Sequence, residues 1–175
     1  MANIPKELIK SVPSSEPQPE VQIKKFKQCQ GHDGIAFSCD LYVNGKLSAH
    51  ITQDGNGGMG GFYWVDNENE KIWNTWRKGL DAYLWNYDGE SKSMPHDDDM
   101  ALEFFLSAHD MAKWIKRNRK TKCMVQLKDE PLGSMHSLKY SPNMGKADNF
   151  NHPYRNRMEK EYGDKILFFA DDLEL

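Results

Sequence analysis

What the chain lacks bounds its function first. It holds no run of about 18 apolar residues, and residues 1–20 carry neither the basic nor the apolar block of a secretory signal. Only three cysteines occur, Cys29, Cys39 and Cys123, with no C-x-x-C spacing, so neither a disulfide framework nor a zinc ribbon is indicated. Reduced, structural thiols are expected, with Cys39 packing like a small hydrophobe on the apolar face of a strand. Basic excess is also absent: the net charge is −3, unlike a protein that coats nucleic acid. There is no H-E-x-x-H pair, no EF-hand loop and no Lys-Ser or Lys-Thr after a glycine run, the marks of zincins, calcium sites and P-loops. Together these absences predict a soluble, cytoplasmic protein with no cofactor, no resident metal and no membrane partner.

What is present is aromatic. Hydrophobic residues make up 38% of the 175-residue chain, and five Trp, seven Tyr and eight Phe must supply much of the burial. That length suits one domain burying roughly 70% of its unfolded surface. Residues 1–19 contain Pro5, Pro13, Pro17 and Pro19 with Ser11, Ser14 and Ser15, and only residues 8–12 offer apolar grip. This composition resists helix and sheet pairing, and predicts an extended arm that either lies on the domain or reaches a partner. Residues 20–175 are expected to form a single α+β domain.

Ile35, Phe37, Cys39, Leu41 and Val43 alternate with Ala36, Ser38, Asp40 and Tyr42, the period of a half-buried strand. Asn44-Gly45 follows, the pair favoured in a type I′ turn, and Leu47, Ala49 and Ile51 alternate beyond it. With strands at 21–28 and 61–66, a four-stranded antiparallel meander results. Ile72, Trp73, Trp76, Leu80, Tyr83, Leu84 and Tyr87 recur at helical spacing and predict a helix over 67–87. Residues 89–95 then form a loop. A second helix starts after the aspartates at 97–99, its acidic beginning and basic end both matching the helix dipole. Short strands are expected at 123–127 and 135–140, a helix at 153–162 ended by Gly163, and a buried strand at 166–170. The fold class is α+β: an antiparallel β-meander, two amphipathic helices, then further strands and a short helix.

The most informative local feature is the stretch from Asp54 to Trp64, in which Gly55, Gly57, Gly58, Gly60 and Gly61 surround Met59 and lead into Phe62, Tyr63 and Trp64. Glycines give positive φ or close backbone approach, and the aromatics can anchor the loop or meet a partner. Gly55, Gly57 and Gly60 satisfy G-x-G-x-x-G. A hairpin strand before the loop and a strand after it do not match the strand-to-helix context of a dinucleotide site. The loop is therefore either a flexible hairpin or a macromolecular contact. If Phe62 and Trp64 point outward, a contact is favoured; Tyr63 takes the opposite face either way.

His96-Asp97-Asp98-Asp99 is the densest group of metal-ligand residue types, with His109, His136 and His152 as distant candidates for a hydrolase or nuclease site. An N-cap at Asp97 or Asp98 accounts for the cluster without metal. Lys113, Lys116, Arg117, Arg119, Lys120 and Lys122 surround Trp114, a pattern that serves a solvated helix end, an acidic protein or a phosphate with a stacked base. Ser134, Ser137 and Ser141 lie near His136 but in no G-x-S-x-G context.

The segments Leu41-Tyr42-Val43-Asn44-Gly45-Lys46, the glycine-rich turn, Lys128-Asp129-Glu130-Pro131-Leu132-Gly133-Ser134 and Tyr162-Gly163-Asp164-Lys165-Ile166 carry a resemblance over about residues 20–170. The chain resembles small uncharacterised proteins encoded by bacteriophages and bacterial chromosomes. The resemblance transfers no catalytic residue. It implies an accessory protein that binds a host enzyme, defence complex or nucleic-acid machine. The leading expectation is a non-enzymatic interaction protein that binds and modulates a host protein or complex. Its contacts are Gly55, Gly57, Gly58, Met59, Gly60, Gly61, Phe62 and Trp64, with Lys113, Trp114, Lys116, Arg117, Arg119 and Lys120 steering acidic partners. The alternatives are a nucleic-acid-binding module using the basic run at 113–122 and a metal-dependent hydrolase or nuclease. Oligomeric state is not legible.

Overall fold

The computed structural model describes residues 4–9, 13–87, 89–140 and 153–175; residues 10–12 of the N-terminal apolar segment, Ser141 and His152 lie outside them. The fold is α+β. The chain divides into two compact units, Ser11–Ser107 and Met1–Lys10 with Ala108–Leu175. Among the described residues no helix is long and apolar enough to cross a membrane.

In the Ser11–Ser107 unit, β1 (Val21–Gln30), β2 (Ile35–Val43), β3 (Lys46–Gln53) and β4 (Gly61–Trp64) form an antiparallel meander in sequential order. Asn44 and Gly45 take φ of 50° and 79°, the left-handed pair that a two-residue hairpin requires. Alternation sends Cys39, Leu41, Val43, Ala49 and Ile51 into the core. Two bulges adjust the sheet. Lys25 and Phe26 together oppose Cys39, and Lys25 has a φ of 52°. Ser48 is inserted between the pairs Leu41 with Ala49 and Tyr42 with Leu47, and its buried hydroxyl accepts from Val43 N and from Asn69 Nδ2 at 2.9 Å. Asn69 also donates to Val43 O at 3.0 Å, so a helix residue closes the bulge.

Helix α1 (Asn67–Lys78) is capped by Asp66, whose carboxylate accepts from the amides of Glu68 and Asn69. It stops well short of the expected position 87. At Gly79 the chain leaves the helix, and Leu80 bridges to Ser14. The rest of the expected helical stripe is a hairpin: β5 (Tyr83–Tyr87) pairs with β6 (Glu90–Met94), where a loop was anticipated. Apolar residues at 80, 83, 84 and 87 fit helical spacing, but Tyr83-Leu84-Trp85 is equally a strand sequence, and Asp88-Gly89 is a hairpin signal with Gly89 at φ 79°. Ser14 in the bridge, with Ile4 and Leu8 buried, seats these parts of the N-terminal arm on the protein.

Trp73 is the centre of this core. Its fully buried indole packs on Trp76 at 5.2 Å, Phe105 at 5.8 Å, Trp64 at 6.3 Å and Phe62 at 6.4 Å between ring centroids. Helix α2 (Asp98–Asn118) supplies Phe105 and also Asp98, whose Oδ1 accepts from Trp73 Nε1 at 2.9 Å and pairs with Arg77 Nε at 2.8 Å.

The other unit holds a three-stranded antiparallel sheet in which β7 (Lys122–Leu127) lies between β8 (Met135–Lys139) and β9 (Ile166–Phe169). Cys123, Val125 and Leu127 pack with Phe169 and with Met158 of α3 (Pro153–Tyr162). β7 is buried on both faces, the other side carrying Met124 and Gln126.

Two substitutions test this arrangement. Trp73→Ala is expected to cost about 3–5 kcal/mol through cavity formation, and Asn69→Leu about 1–3 kcal/mol by removing the amide's two buried hydrogen bonds, to the Ser48 hydroxyl and the Val43 carbonyl. Urea unfolding followed by far-UV circular dichroism measures both.

Candidate interaction surfaces

The glycine loop is built from the inside. Gly55 has φ 74°, and a Cβ there would meet Ala36 N at 2.8 Å; one on Gly31 would meet Gly55 Cα at the same distance. The two loops touch through glycine because nothing larger fits, and Asp33 N donates to Gly55 O at 2.8 Å. Gly57 also takes a left-handed φ of 77°. Gly58 O accepts from Gln53 Nε2 at 2.7 Å, and Gly60 N donates to Asp99 Oδ2 at 2.8 Å. Gly61 lies under the Tyr63 ring. Each of the five glycines thus has a conformational or bonding role inside the fold. Phe62 and Trp64 do not point outward; they share the face of Ile51 and Ala49 and stack toward Trp73. The large apolar and aromatic side chains this segment offers to solvent are Met59, 75% exposed, and Tyr63, 62% exposed, beside the exposed Asp54, Asn56, Gly57 and Gly58.

The aspartate cluster is distributed among three tasks. Asp97 Oδ1 accepts from Met100 N at 2.8 Å as the cap of α2, Asp98 holds Trp73 and Arg77, and Asp99 holds the glycine loop. His96 is buried between the rings of Tyr83 and Phe104. Among the described residues no group of three or more His, Cys, Asp or Glu side chains is placed to hold a metal ion.

In the basic run, Lys116, Arg117 and Lys120 are exposed, and Lys113 lies 3.9 Å from Asp110. Arg119 turns inward and donates to Leu173 O at 3.1 Å. Trp114 is half-buried with Lys122 Nζ 6.0 Å from its ring centre, a loose cation–π approach.

His136 has both nitrogens engaged. Nε2 faces the Glu130 carboxylate at 2.8 and 3.0 Å and Nδ1 meets the Tyr162 hydroxyl at 3.1 Å. A carboxylate only accepts, so Nε2 carries hydrogen, and in the neutral ring Nδ1 accepts from the phenol. The imidazole therefore has no nitrogen left to serve as base for Ser134 or Ser137. The turn carrying Glu130 is fixed by Gln126, fully buried, whose amide nitrogen reaches the carbonyls of Leu127, Glu130 and Pro131 while its oxygen accepts from Gly133 N at 2.9 Å. Gln126 is a buried polar residue in a strand sequence, the one signal by which this arrangement was legible.

Two further surfaces leave no motif in the sequence. On the hairpin, Leu84 is 72% and Trp85 51% exposed, and among the described residues each strand has one edge without a strand partner. On the meander, register places Lys24, Asp40, His50 and Tyr63 side by side across all four strands on the face away from the core. Asp40 is itself buried, taking Lys25 Nζ at 2.8 Å and His50 Nδ1 at 2.7 Å. The hydrogen bond from Lys25, helped by His50 and opposed by burial, holds its carboxyl below the usual range.

Comparison of the chain with protein-family models, with curated proteins and with solved structures found no match.

Burial pushes the Cys39 and Cys123 thiols up to about 11, whereas Cys29 is exposed. A thiol reagent at neutral pH is thus expected to label one site rapidly, at Cys29, and the other two only after denaturation. Asp40 gives a pH signature. Its folded pKa lies below the unfolded value of about 4, so its contribution is present above that pH and lost as pH falls through the folded pKa. The urea midpoint should fall on acidification more steeply in the parent protein than in Asp40→Asn.

Proposed function

We propose that the protein is a non-enzymatic interaction protein, and that its protein partner adds an extended segment to the β5 edge opposite β6. The carrying observation is the asymmetry of the β5–β6 ribbon. The β6 sequence Glu90-Ser91-Lys92-Ser93-Met94 bears a charged pair, with Lys92 Nζ 3.4 Å from Glu90 Oε2, and charges on an edge discourage strand pairing. The β5 sequence Tyr83-Leu84-Trp85-Asn86-Tyr87 bears none, and among the described residues its strand partner is β6 alone.

A strand edge offers backbone donors and acceptors, and Leu84 and Trp85, on opposite faces of it, supply apolar anchors of the kind that carry binding energy. A lone two-stranded ribbon is marginally stable in water, so a third strand also stabilises the ribbon itself. This reading moves the contact away from the glycine loop, where Gly55, Gly60 and Gly61 are packed within the fold, and leaves Met59 and Tyr63 as its exposed large side chains. The resemblance read from the sequence, to small uncharacterised proteins encoded by bacteriophages and bacterial chromosomes, makes a host protein or defence complex the partner class to test first. No metal-dependent reaction is proposed, since Asp97, Asp98 and Asp99 each serve the fold.

Affinity capture from host lysate after nuclease treatment, comparing the parent chain with Leu84→Lys and Trp85→Lys, tests the proposal. A named partner should be retained by the parent, and its capture should drop about tenfold or more in each variant, with thermal melts showing that both variants fold. Equal capture by parent and variants would remove the hairpin from the interface.

A further inference from the structure

The outer face of the meander carries a second inference, independent of the hairpin. An antiparallel sheet with helices on one side leaves the other to water, where short polar side chains suffice. Here that face bears Lys24, Lys25 and Lys27 on β1, Tyr42 on β2, His50 on β3 and Tyr63 on β4. Lys24 is paired with Asp40 and Lys27 with Ser38, so both lie on the outer side, and the β1 bulge turns Lys25 to the same side. His50 and Tyr63 are direct cross-strand partners.

The charge of this face runs against that of the chain. Asp40 is buried and neutralised by its ion pair with Lys25, so Lys24 and Lys27 remain as the uncompensated charges of this face, in a protein of net charge −3. Lys24 Nζ sits 3.7 Å above the Tyr42 ring centre, which keeps a cation and an aromatic together on the surface. The Tyr63 ring lies along Gly61, where an added Cβ would come within 3.1 Å of Tyr63 Cε2 and 3.3 Å of its hydroxyl. Glycine at position 61 therefore lets the ring rest on the strand with its other face toward solvent, 62% exposed. Cations set beside solvent-facing rings on an open sheet are the recognition chemistry of an unpaired nucleic-acid strand: lysines meet phosphates while rings stack bases.

We propose that this face binds single-stranded nucleic acid, with Tyr63 and His50 as the stacking platform and Lys24 and Lys27 along the phosphates, while Lys25 stays with Asp40. A duplex, whose bases are stacked on each other, offers the rings nothing. An acidic polypeptide offers charge without flat bases. Both are therefore discriminating competitors.

The test is fluorescence polarisation with labelled oligo-dT and oligo-U of about 12 nucleotides, at about 50 mM salt and upward. At least one oligonucleotide should bind, and Tyr63→Ala should weaken that binding about tenfold while Tyr63→Phe, which keeps the ring, retains it. Lys27→Glu should weaken it and flatten the dependence of log K on log salt by about 0.7 for each phosphate no longer neutralised. Lys116→Glu with Arg117→Glu, on the other basic run, should leave affinity unchanged. Thermal melts establish the folding of each variant, and if Tyr63→Ala does not fold, the Lys27→Glu salt slope decides. Binding of neither oligonucleotide would overturn the proposal. So would weakening in the Lys116 and Arg117 variant without weakening at Tyr63 or Lys27, or competition by duplex or polyglutamate equal to that by unlabelled oligonucleotide.

Discussion

The meander unit depends on the burial of one indole. Trp73 contributes a large apolar surface, but its Nε1–H must find an acceptor, and Asp98 provides it. That one hydrogen bond has three consequences. It brings the start of α2 against α1, it gives Asp98 a second partner in Arg77, and it leaves the neighbouring Asp97 and Asp99 to cap the helix and to take the Gly60 amide. Phe62, Trp64, Trp76 and Phe105 then close around the ring. In a chain with few aliphatic residues, an aromatic cluster with one polar anchor takes the place of a larger aliphatic core.

The same constraint separates what the molecule uses internally from what it offers. Because Phe62 and Trp64 are drawn toward Trp73, their neighbour Tyr63 is driven outward by strand alternation. The glycines before them serve loop-to-loop packing and an amide bond to Asp99, so the most conspicuous segment of the chain is mostly scaffold. Exposure falls instead on the β5 edge, on Met59 and on the outer face of the meander.

The second unit solves a different problem. β7 is buried on both faces, and a glutamine in such a strand is costly unless every polar atom is used. Gln126 bonds to the turn that follows it, fixing Glu130 where it meets His136 and, through it, Tyr162 of α3. On the α3 side, Arg155 lies 4.1 Å over Phe169 and forms a two-bonded pair with Asp172. These groups, which look like loose surface polarity in the sequence, tie a helix to a sheet.

Local periodicity by itself determined the α+β class, the four strands with their Asn44-Gly45 turn, the start of α2, and α3 over its full length. In each case the pattern spans one element, and its turn or cap residues sit beside it in sequence. The helix expected over 67–87 failed because Tyr83, Leu84 and Tyr87 satisfy two periods at once, and only the break at Gly79 and the pairing of β5 with β6 chose between them. Tertiary structure alone decided which way Phe62 and Tyr63 face, that Asp97, Asp98 and Asp99 take separate partners, and that Lys25, Asp40, His50 and Tyr63 meet on one surface. Such meetings depend on strand register and bulges, which join residues far apart in the chain and leave no mark in local sequence spacing.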